Sequence, residues 1–257
     1  MSPFALNTRP VPGLCWSERF AVRAYETDQE GRLSVLSLCH FLQEAAANHA
    51  RELGVGLDVL NGRNLTWMLS RLRLAVKRLP AAGAHLTVHT WPSGRDRLFA
   101  LRDFVVQTDD GDRFAAADSA WLVIDQKRRR PVRIEPFLEP LSSAAGEPVL
   151  EKPIPRLPTP GAGHEARRFC VRYRDLDGNR HVNNVTYVEW VLEGFDPGFV
   201  GNRTLERLEV EYLAEALAGE TVRCTNAPLE ETPGHYVHGI FREGDGRELA
   251  RARTKWS

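Results

Sequence analysis

The pattern of apolar and polar positions opens with a strand and continues into a helix. Apolar residues alternate with polar ones from Phe20, a polar segment containing Gly31 follows, and apolar residues then recur at spacings of three and four over residues 35–53. The alternation predicts a strand and the longer spacing predicts an amphipathic helix. Ser34 is placed to be the N-cap of this helix and Gly54 to end it.

The same pattern begins again 149 positions later, at Phe169. The segments starting at Phe20 and Phe169 align without a gap over 25 residues. The identical pairs are Phe20/Phe169, Val22/Val171, Arg23/Arg172, Asp28/Asp177 and Glu44/Glu193. A second match, at an offset of 136, pairs Arg71, Leu72, Leu74 and Gly83 with Arg207, Leu208, Val210 and Gly219. Because both matches occur in the same order, duplication is favoured over chance similarity between half-buried strands.

Strand patterns then continue in each copy without another long helix. The first copy has strand patterns at 72–76, 86–90, 99–107 and 114–124, with a hairpin turn at 108–112. The second has a shorter helix at 183–193 and strand patterns at 208–213, 221–225, 236–242 and 249–255, with a turn at 243–246. One helix followed by several strands predicts the α+β class, with an antiparallel sheet that carries a helix on one face.

A segment rich in proline and glycine separates the copies. It includes Pro153, Pro155, Pro158 and Pro160, and proline favours extended, semi-rigid backbone. We therefore predict a first domain at 1–147, a linker at 148–166 and a second domain at 167–257.

Composition and charge exclude several classes of protein. The chain has 34 basic and 34 acidic residues and a pI near 7.1, which argues against a generally basic nucleic-acid-binding protein. No apolar run is long enough to span a membrane, and residues 1–13 lack the apolar core of a signal peptide. The four cysteines are far apart, with Cys39 and Cys170 inside apolar patterns, so we expect those two to be buried thiols. A reducing, cytoplasmic location is therefore expected.

The two copies differ where a polar set suggests chemistry. The second copy contains Asp177, Asn179, His181 and Glu215, whereas the first has Asp28, Glu30, Arg32 and Leu79 at the corresponding positions. In extended backbone, Asp177, Asn179 and His181 would all point to one side. A histidine there can exchange protons near neutral pH, and carboxylates can orient it or activate water. The alternative is that Asp177 and Asn179 only form a turn and that Asn183 only caps the helix.

A longer motif resembles a known family. The run from Asp175 to Glu193, DLDGNRHVNNVTYVEWVLE, is similar to the signature of the acyl-ACP thioesterases of plants and bacteria. The first copy resembles them too, at residues 25–26, 42–45, 48–49 and 65–67, so the resemblance covers residues 16–256. It implies a double hotdog fold, in which two tandem antiparallel sheets each wrap a central helix. It also implies hydrolysis of the thioester between a fatty acyl chain and acyl carrier protein.

The resemblance also implies roles for individual residues. The catalytic pattern of the family maps onto Asp177, Asn179 and His181, and its later glutamate maps onto Glu215. Plant members have a cysteine directly after that glutamate, whereas this chain has Ala216, which favours direct attack by water over a cysteine nucleophile. We expect Glu215, together with His181, to accept a proton from water. Asp177 would orient His181, and Asn179 with backbone N–H groups at the helix start would face the oxyanion. No cofactor and no metal are expected.

The first copy is expected to handle the substrate. Acyl carrier protein is acidic and its phosphopantetheine arm carries a phosphate, so a basic surface would attract it. Residues 71–102 are rich in basic side chains, namely Arg71, Arg73, Lys77, Arg78, Arg95, Arg97 and Arg102, and 127–130 is a second basic run. We predict that Arg95 and Arg97 bind the carrier, and that Trp67 and Met68 line the acyl-chain pocket. The alternatives are a solvated charged face and ordinary core packing.

Other functions stay open at the level of sequence. The same fold could serve an acyl-CoA thioesterase or a non-catalytic acyl-binding protein, and a hotdog dehydratase fits less well because its usual pattern is not matched. Two fused hotdogs would already supply the pair that single hotdogs make by dimerising, so we expect a monomer or a homodimer.

Overall fold

The computed structural model describes residues 15–133, 149–150, 154, 156–160 and 165–257. The chain forms two compact units, residues 1–154 and residues 155–257. Nine of the 19 residues of the predicted linker at 148–166 lie outside the described residues, so the domain boundaries predicted from sequence stay a prediction. Among the described helices, none is both long and apolar enough to cross a membrane.

The first unit combines one long helix with an antiparallel sheet. Its helices are α1 (Val35–Glu52) and the short α2 (Leu57–Gly62). Its strands are β1 (Trp16–Ala21), β2 (Leu65–Val76), β3 (His85–Asp96), β4 (Phe99–Thr108), β5 (Arg113–Asp125) and β6 (Arg130–Val132). The strand order is β1-β3-β4-β5-β2, and β6 pairs with β5.

Helix α1 forms where the sequence predicts it. The Ser34 side chain caps its N-terminus by accepting a hydrogen bond from the Ser37 amide, and Gly54 follows its end with φ of 71°. Its apolar face, which includes Leu38 and Leu42, is buried, and the helix contacts β3 and β1. The apolar periodicity is therefore the property that fixes the helix on the sheet.

The second unit repeats this plan with a shorter helix. Its helices are α3 (Asn184–Glu193) and the short α4 (Pro197–Gly201). Its strands are β7 (Glu165–Cys170), β8 (Leu205–Tyr212), β9 (Thr221–Pro228), β10 (His235–Arg242) and β11 (Glu248–Trp256), in the order β8-β11-β10-β9-β7. The predicted positions of α1 and α3 are confirmed to within one residue, and each later strand pattern falls on a strand, although β2 begins at Leu65 and β3 continues to Asp96. The opening strands begin at Trp16 and Glu165, earlier than predicted, and end one residue after Phe20 and Phe169. The elements α2, α4 and β6 are additional.

Both sequence matches correspond to the same contacts in the two units. Phe20 stacks on Phe41 of α1, and Phe169 stacks on Trp190 at the corresponding position of α3. At the second match, the Gly83 amide donates to the Val22 carbonyl (2.9 Å), as the Gly219 amide does to the Val171 carbonyl (3.0 Å). These two glycines have φ of 80° and 79°, a conformation that favours glycine. The duplication seen in the sequence is therefore also a duplication of contacts.

One buried ion pair is reversed between the copies. Arg73 on β2 makes a bidentate pair with Asp118 on β5 (Nε–Oδ1 2.9 Å and Nη2–Oδ2 2.5 Å). At the corresponding positions of the second unit, Glu209 on β8 pairs with Arg253 on β11. The acid and the base have thus exchanged strands.

Parts of the predicted linker are anchored to the units. Val149 and Leu150 are buried in a cluster with Trp91 of the first unit. In the second unit, the Leu157 amide donates to Glu211 Oε2 (3.0 Å) and its carbonyl accepts from Arg251 Nη1 (3.1 Å). These residues are therefore held against a sheet and do not act as a free spacer.

Of the two cysteine thiols expected to be buried, one is buried and the other is exposed. Cys39 is buried on α1, as predicted, whereas Cys170 is exposed at the end of β7. The apolar pattern around Cys170 ends with the strand, so its neighbours do not cover it. All four cysteines are free.

Candidate active site

Two of the predicted catalytic residues lie together in the second unit. His181 Nδ1 and Glu215 Oε1 are 3.4 Å apart. Each side chain is 36% exposed, so water can reach both groups. His181 lies just before α3 and Glu215 lies in the loop after β8, so the fold joins segments that are far apart in sequence. A proton acceptor next to an imidazole at a solvent-accessible position suits activation of water.

Asp177 contacts the main chain of its own turn. Its Oδ1 accepts hydrogen bonds from the amides of Asn179 (2.8 Å) and His181 (3.2 Å), and its own amide donates to the His181 carbonyl (2.8 Å). Leu176 and Val182 form a β-bridge at the base of this turn. The prediction of extended backbone with three side chains on one side is therefore wrong. A short polar run closed by Asp at its first position folds back on itself.

The first unit contains the same turn without the candidate chemistry. Asp28 Oδ1 accepts from the amides of Glu30 (3.0 Å) and Arg32 (2.9 Å). One position differs in kind, because Gly31 (φ 71°) corresponds to Arg180 (φ 64°). A non-glycine residue in this conformation is strained, and such strain is typical of functional sites.

Asn179 and the start of α3 provide groups that can donate hydrogen bonds. The Asn179 side chain is exposed and makes no hydrogen bond within the described part of the chain. Asn183 caps α3, as in the alternative interpretation of the sequence: its Oδ1 accepts from the Val185 amide (2.9 Å), and its carbonyl accepts from the Thr186 amide (2.9 Å). Those two amides are therefore already used. The Asn184 amide precedes them in the first turn and has no acceptor among the described residues.

Two residues that sequence reasoning missed hold the loop of Glu215. The Tyr187 hydroxyl contacts the backbone on both sides of Glu215, and Arg242 donates to the Glu215 carbonyl. One signal was available in the sequence, because the aligned position of Tyr187 in the first copy is Leu38. A hydroxyl that replaces an apolar group on the buried face of a helix needs a hydrogen-bond partner.

Trp67 and Met68 are neighbours on β2 and are half-buried. Successive side chains of a strand point to opposite faces, so one face of the sheet can include only one of these two. Trp67 packs against a buried cluster of Val55, Leu60 and Val123, and its Nε1 donates to the Val55 carbonyl (2.9 Å). Trp67 therefore anchors α2 to the sheet, whatever else it contacts.

The predicted basic surface of the first unit is smaller than its sequence indicates. Arg73 and Arg102 are buried, Arg73 against Asp118, and Arg102 donating to His49 Nδ1 (3.0 Å) and Thr90 Oγ1 (3.1 Å). Arg71 is half-buried, with its guanidinium over the Phe99 ring. The residues of this set that are exposed are Lys77, Arg78, Arg95 and Arg97. Alternation along a strand places some basic side chains inside, which a count of charges does not reveal.

Arg95 and Arg97 lie at the tip of the β3–β4 hairpin. Both are exposed, and Arg97 has φ of 55° in the turn between Asp96 and Phe99. The run 127–130 is exposed in the β5–β6 turn, where the amides of Lys127 and Arg128 donate to Asp125 Oδ1. Both basic segments are therefore at hairpin turns of the first unit. The described residues contain no group of three or more histidine, cysteine, aspartate or glutamate side chains arranged to hold a metal ion.

Comparison with known families decides the relationship. Residues 13–139 match the acyl-ACP thioesterase N-terminal domain, and residues 160–257 match the acyl-ACP thioesterase C-terminal domain. The chain belongs to the acyl-ACP thioesterase family. His181 and Glu215 both fall within the C-terminal domain of the family. The resemblance predicted from the motifs is confirmed.

Two similar proteins of known activity come from plants. A palmitoyl-acyl carrier protein thioesterase of Cuphea hookeriana is 29% identical over 273 residues, covering 100% of this chain and 65% of the relative. An oleoyl-acyl carrier protein thioesterase of Arabidopsis thaliana is 28% identical, covering 98% of this chain and 78% of the relative. The chain therefore spans about two thirds of the length of the Cuphea protein. Both plant proteins are described as chloroplastic.

Solved acyl-ACP thioesterase structures share the architecture. An acyl-ACP thioesterase of Bacteroides thetaiotaomicron superposes with a TM-score of 0.83 at 26% identity, covering 95% of this chain and 98% of the other. A 12:0-ACP thioesterase of Umbellularia californica gives a TM-score of 0.85 at 25% identity, covering 97% and 99%. The α+β class predicted from sequence is confirmed, and the fold is of the hotdog type.

Proposed function

We propose that this protein hydrolyses the thioester of a fatty acyl group carried on acyl carrier protein, and that it releases a free fatty acid. The observation that carries the proposal is the solvent-accessible pair of His181 and Glu215, 3.4 Å apart, in the unit that matches the C-terminal thioesterase domain. The first unit has Arg32 and Leu79 at those positions, so the pair is specific to the second unit.

The reaction is direct hydrolysis by water. Glu215, together with His181, accepts a proton from the water as its oxygen attacks the thioester carbonyl carbon. A tetrahedral intermediate forms, its C–S bond breaks, and the pantetheine sulfur takes up a proton to leave as a thiol. Ala216 supports this route, because it provides no thiol at the position after Glu215.

The other residues of the site orient the imidazole or stabilise the charge of the intermediate. Asp177 fixes the turn that ends at His181, so it sets the position of the imidazole through the main chain. The side-chain NH₂ of the exposed Asn179 and the backbone N–H of Asn184 at the helix start can donate to the oxyanion of the intermediate. Preorganised donors of this kind stabilise charge that develops only in the transition state.

The larger organisation follows the family. We infer a double hotdog of two tandem sheets, each wrapping a central helix, with residues 1–147 and 167–257 as domains joined by 148–166. The first domain binds the acyl chain, with Trp67 or Met68 in the pocket wall, and binds the carrier through Arg95 and Arg97. The cytoplasmic location and the state of monomer or homodimer stay predictions.

An activity panel tests the proposed function. Purified protein is assayed with acyl-ACPs from short to long chains, and with acyl-CoAs of the same chains. We expect hydrolysis of acyl-ACP with a higher kcat/KM than for the matched acyl-CoA. Preference for acyl-CoA would instead indicate a CoA thioesterase. Tight binding of acyl-ACP without turnover would indicate an acyl-binding protein.

A further inference from the structure

The loop that carries Glu215 has no regular secondary structure. It leaves β8 after Tyr212 and reaches β9 at Thr221. A carboxylate that must stay within reach of an imidazole needs a fixed backbone, and loops are more mobile than the elements they connect. The contacts that fix this loop therefore determine where the Glu215 carboxylate lies.

Tyr187 clamps the loop on both sides of Glu215. Its hydroxyl donates to the Ala214 carbonyl (3.3 Å) and accepts from the Ala216 amide (3.0 Å). The residues before and after Glu215 thus bind the same oxygen atom. The Tyr187 ring is buried and packs edge-to-face on Trp190 and Tyr212, so the hydroxyl itself has a fixed position.

Arg242 binds the main chain of Glu215 itself. Its Nη2 donates to the Glu215 carbonyl (2.9 Å). Its guanidinium is oriented by ion pairs with Glu220 (3.1 Å) and Asp245 (3.0 Å). Three consecutive backbone positions of the loop are therefore bound by two side chains from α3 and β10.

The same loop connects to the turn of His181. The Val182 amide donates to the Ala216 carbonyl (3.1 Å). His181 precedes Val182 and Glu215 precedes Ala216, so this one hydrogen bond ties together the main chains next to both site residues. The clamp on Ala216 is thereby also a constraint on the distance between the two side chains.

The first unit builds the corresponding loop without the clamp. The Leu33 amide donates to the Pro80 carbonyl (2.8 Å), as the Val182 amide does to the Ala216 carbonyl. The position of Tyr187 is Leu38 there, and it is buried. The hydrogen bond between the turn and the loop therefore forms in the first unit although an apolar residue takes the place of the tyrosine.

Arg242 is likewise particular to the second unit. On β9, Val222 pairs with Arg242, and on β3 the corresponding Leu86 pairs with Thr108. Thr108 cannot reach as far as an arginine or carry its charge, so the position that corresponds to Arg242 does not make this contact in the first unit. Both members of the clamp thus occur in the unit with His181 and Glu215, although the fold does not require them.

From this comparison we infer that Tyr187 and Arg242 are positioning residues of the hydrolytic site. They hold the main chain of residues 214–216 so that the Glu215 carboxylate stays at His181. The inference rests on the proposed function, in which Glu215 accepts the proton from water. Both residues act through Glu215, because their contacts are with the main chain of its loop.

Tyr187→Phe tests the clamp, because it removes the hydroxyl and keeps the ring that packs on Trp190 and Tyr212. We expect kcat for acyl-ACP hydrolysis to fall about 10-fold to 100-fold, with a smaller change in KM, since small displacements of catalytic groups have effects of this size. Arg242→Gln is expected to act in the same direction.

A matched control separates positioning from loss of stability. Thr254→Val also removes a buried hydroxyl with two hydrogen-bond partners in the second unit, His238 and Trp256. We expect this variant to lower Tm about as much as Tyr187→Phe and to keep the kcat of the wild type. A parallel loss of kcat in Thr254→Val would mean that stability explains both results, and would overturn the proposal.

A double-mutant cycle identifies the residue through which Tyr187 acts. In the Glu215→Gln background, Tyr187→Phe should cause no further fall in residual kcat, because the group that it positions is gone. An equal fall in both backgrounds, or an unchanged kcat in the single variant, would overturn the positioning role. A wild type without turnover, or a fully active Glu215→Gln variant, would instead refute the proposed function and this role together.

Discussion

The imidazole of His181 and the carboxylate of Glu215 are each about one-third exposed. This partial exposure suits the proposed reaction, because the nucleophile is a water molecule that must enter and leave. A fully buried pair would exclude it, and a fully exposed pair would lack the fixed geometry that makes a carboxylate an effective base.

Replacement of Glu215 by Gln should remove the proton acceptor and keep the shape of the side chain. We expect acyl-ACP hydrolysis to fall on the order of 100-fold or more, as is typical when a general base is lost. Tm and acyl-ACP binding should stay close to those of the wild type. Glu193→Gln, at an exposed position at the end of α3, is the control and should keep full activity. Turnover of Glu215→Gln within a few-fold of the wild type would remove this residue from the mechanism.

Thiol-blocking reagents should leave the chemical step intact. Burial raises the pKa of the Cys39 and Cys224 thiols to about 12, so they stay protonated and unreactive near neutral pH, and Cys170 is exposed and should be labelled first. We expect Cys170 to be modified, as seen by mass spectrometry, while kcat stays unchanged. A chain in which all four cysteines are replaced by alanine or serine should likewise keep the kcat of the wild type. An acyl-cysteine trapped during turnover would contradict direct attack by water.

At the scale of elements, the 177–181 turn shows how local chemistry positions a side chain. Asp177 acts as a hydrogen-bond acceptor for two backbone amides, and Asp28 does the same in the unit without the site. In both copies, this aspartate therefore closes the turn. In the second copy, the turn ends at a residue that can exchange protons.

Two substitutions at Asp177 should separate the turn from the charge. Asn keeps an oxygen that can accept both amide hydrogen bonds, whereas Ala removes it. We expect Asp177→Asn to keep more hydrolytic activity and a higher Tm than Asp177→Ala, as measured by kcat and thermal unfolding. Asp28→Asn and Asp28→Ala give the stability effect of the same changes away from the site. If Asn and Ala at position 177 reduce kcat equally while their Tm values differ, the negative charge itself is required.

Much of the fold could be predicted because periodicity and capping are local properties. The 3.6-residue spacing after Ser34 and the alternation over 71–77 and 86–90 are properties of neighbouring residues. The Asp177 turn was misread because alternating polar residues also occur in a turn closed by its own carboxylate. Tyr187 and Arg242 were missed because their partners are backbone atoms of a distant loop, and a sequence pattern does not reveal such contacts.

At the scale of the whole molecule, the two basic segments predicted to attract the carrier lie at hairpin turns of the first unit. Arg95 and Arg97 are exposed at one turn and residues 127–130 at another, while Arg73 and Arg102 are buried. Exposed charges attract a partner over about 8 Å at physiological ionic strength, and buried ones contribute mainly to the fold. We therefore expect the exposed charges at these turns to attract the acyl carrier protein.

Charge reversal at the β3–β4 turn should affect the carrier and spare small substrates. For the double change Arg95→Glu with Arg97→Glu, we expect kcat/KM to fall for acyl-ACP and to stay near the wild-type value for an acyl-pantetheine thioester. The loss for acyl-ACP should shrink as salt is added, because electrostatic steering is screened. The matched double change Arg167→Glu with Arg247→Glu, at exposed positions of the second unit, controls for net charge. An equal loss for both substrates would mean that the turn supports the fold or the acyl pocket.

Acid should destabilise the protein through two buried histidines. Burial lowers the pKa of His238 to about 3, and burial with the charge of Arg102 lowers the pKa of His49 to about 4. An unfolded histidine titrates near 6.5, so below about pH 6.5 the unfolded chain binds protons that the folded chain excludes. The free energy of unfolding should therefore decrease as the pH falls from about 6.5 towards 4.

Denaturant unfolding measured over this pH range checks the prediction. His49→Gln keeps an acceptor for Arg102 and removes the titration, so its free energy of unfolding should depend less steeply on pH than that of the wild type. A variant with an unchanged slope would show that His49 is protonated in the folded state as readily as in the unfolded chain.

The reversed ion pairs have a consequence for how the chain folds. Two homologous copies on one polypeptide can exchange strands during folding, and tandem repeats misassemble in this way. If β2 paired with β11 in the corresponding register, Arg73 would face Arg253, and if β8 paired with β5, Glu209 would face Asp118. Each exchange would place like charges side by side in neighbouring strands, an unfavourable contact that the correct pairing avoids. The opposite polarity of the two pairs thus marks each copy, so that the strands of a newly made chain discriminate between their own partners and those of the other copy.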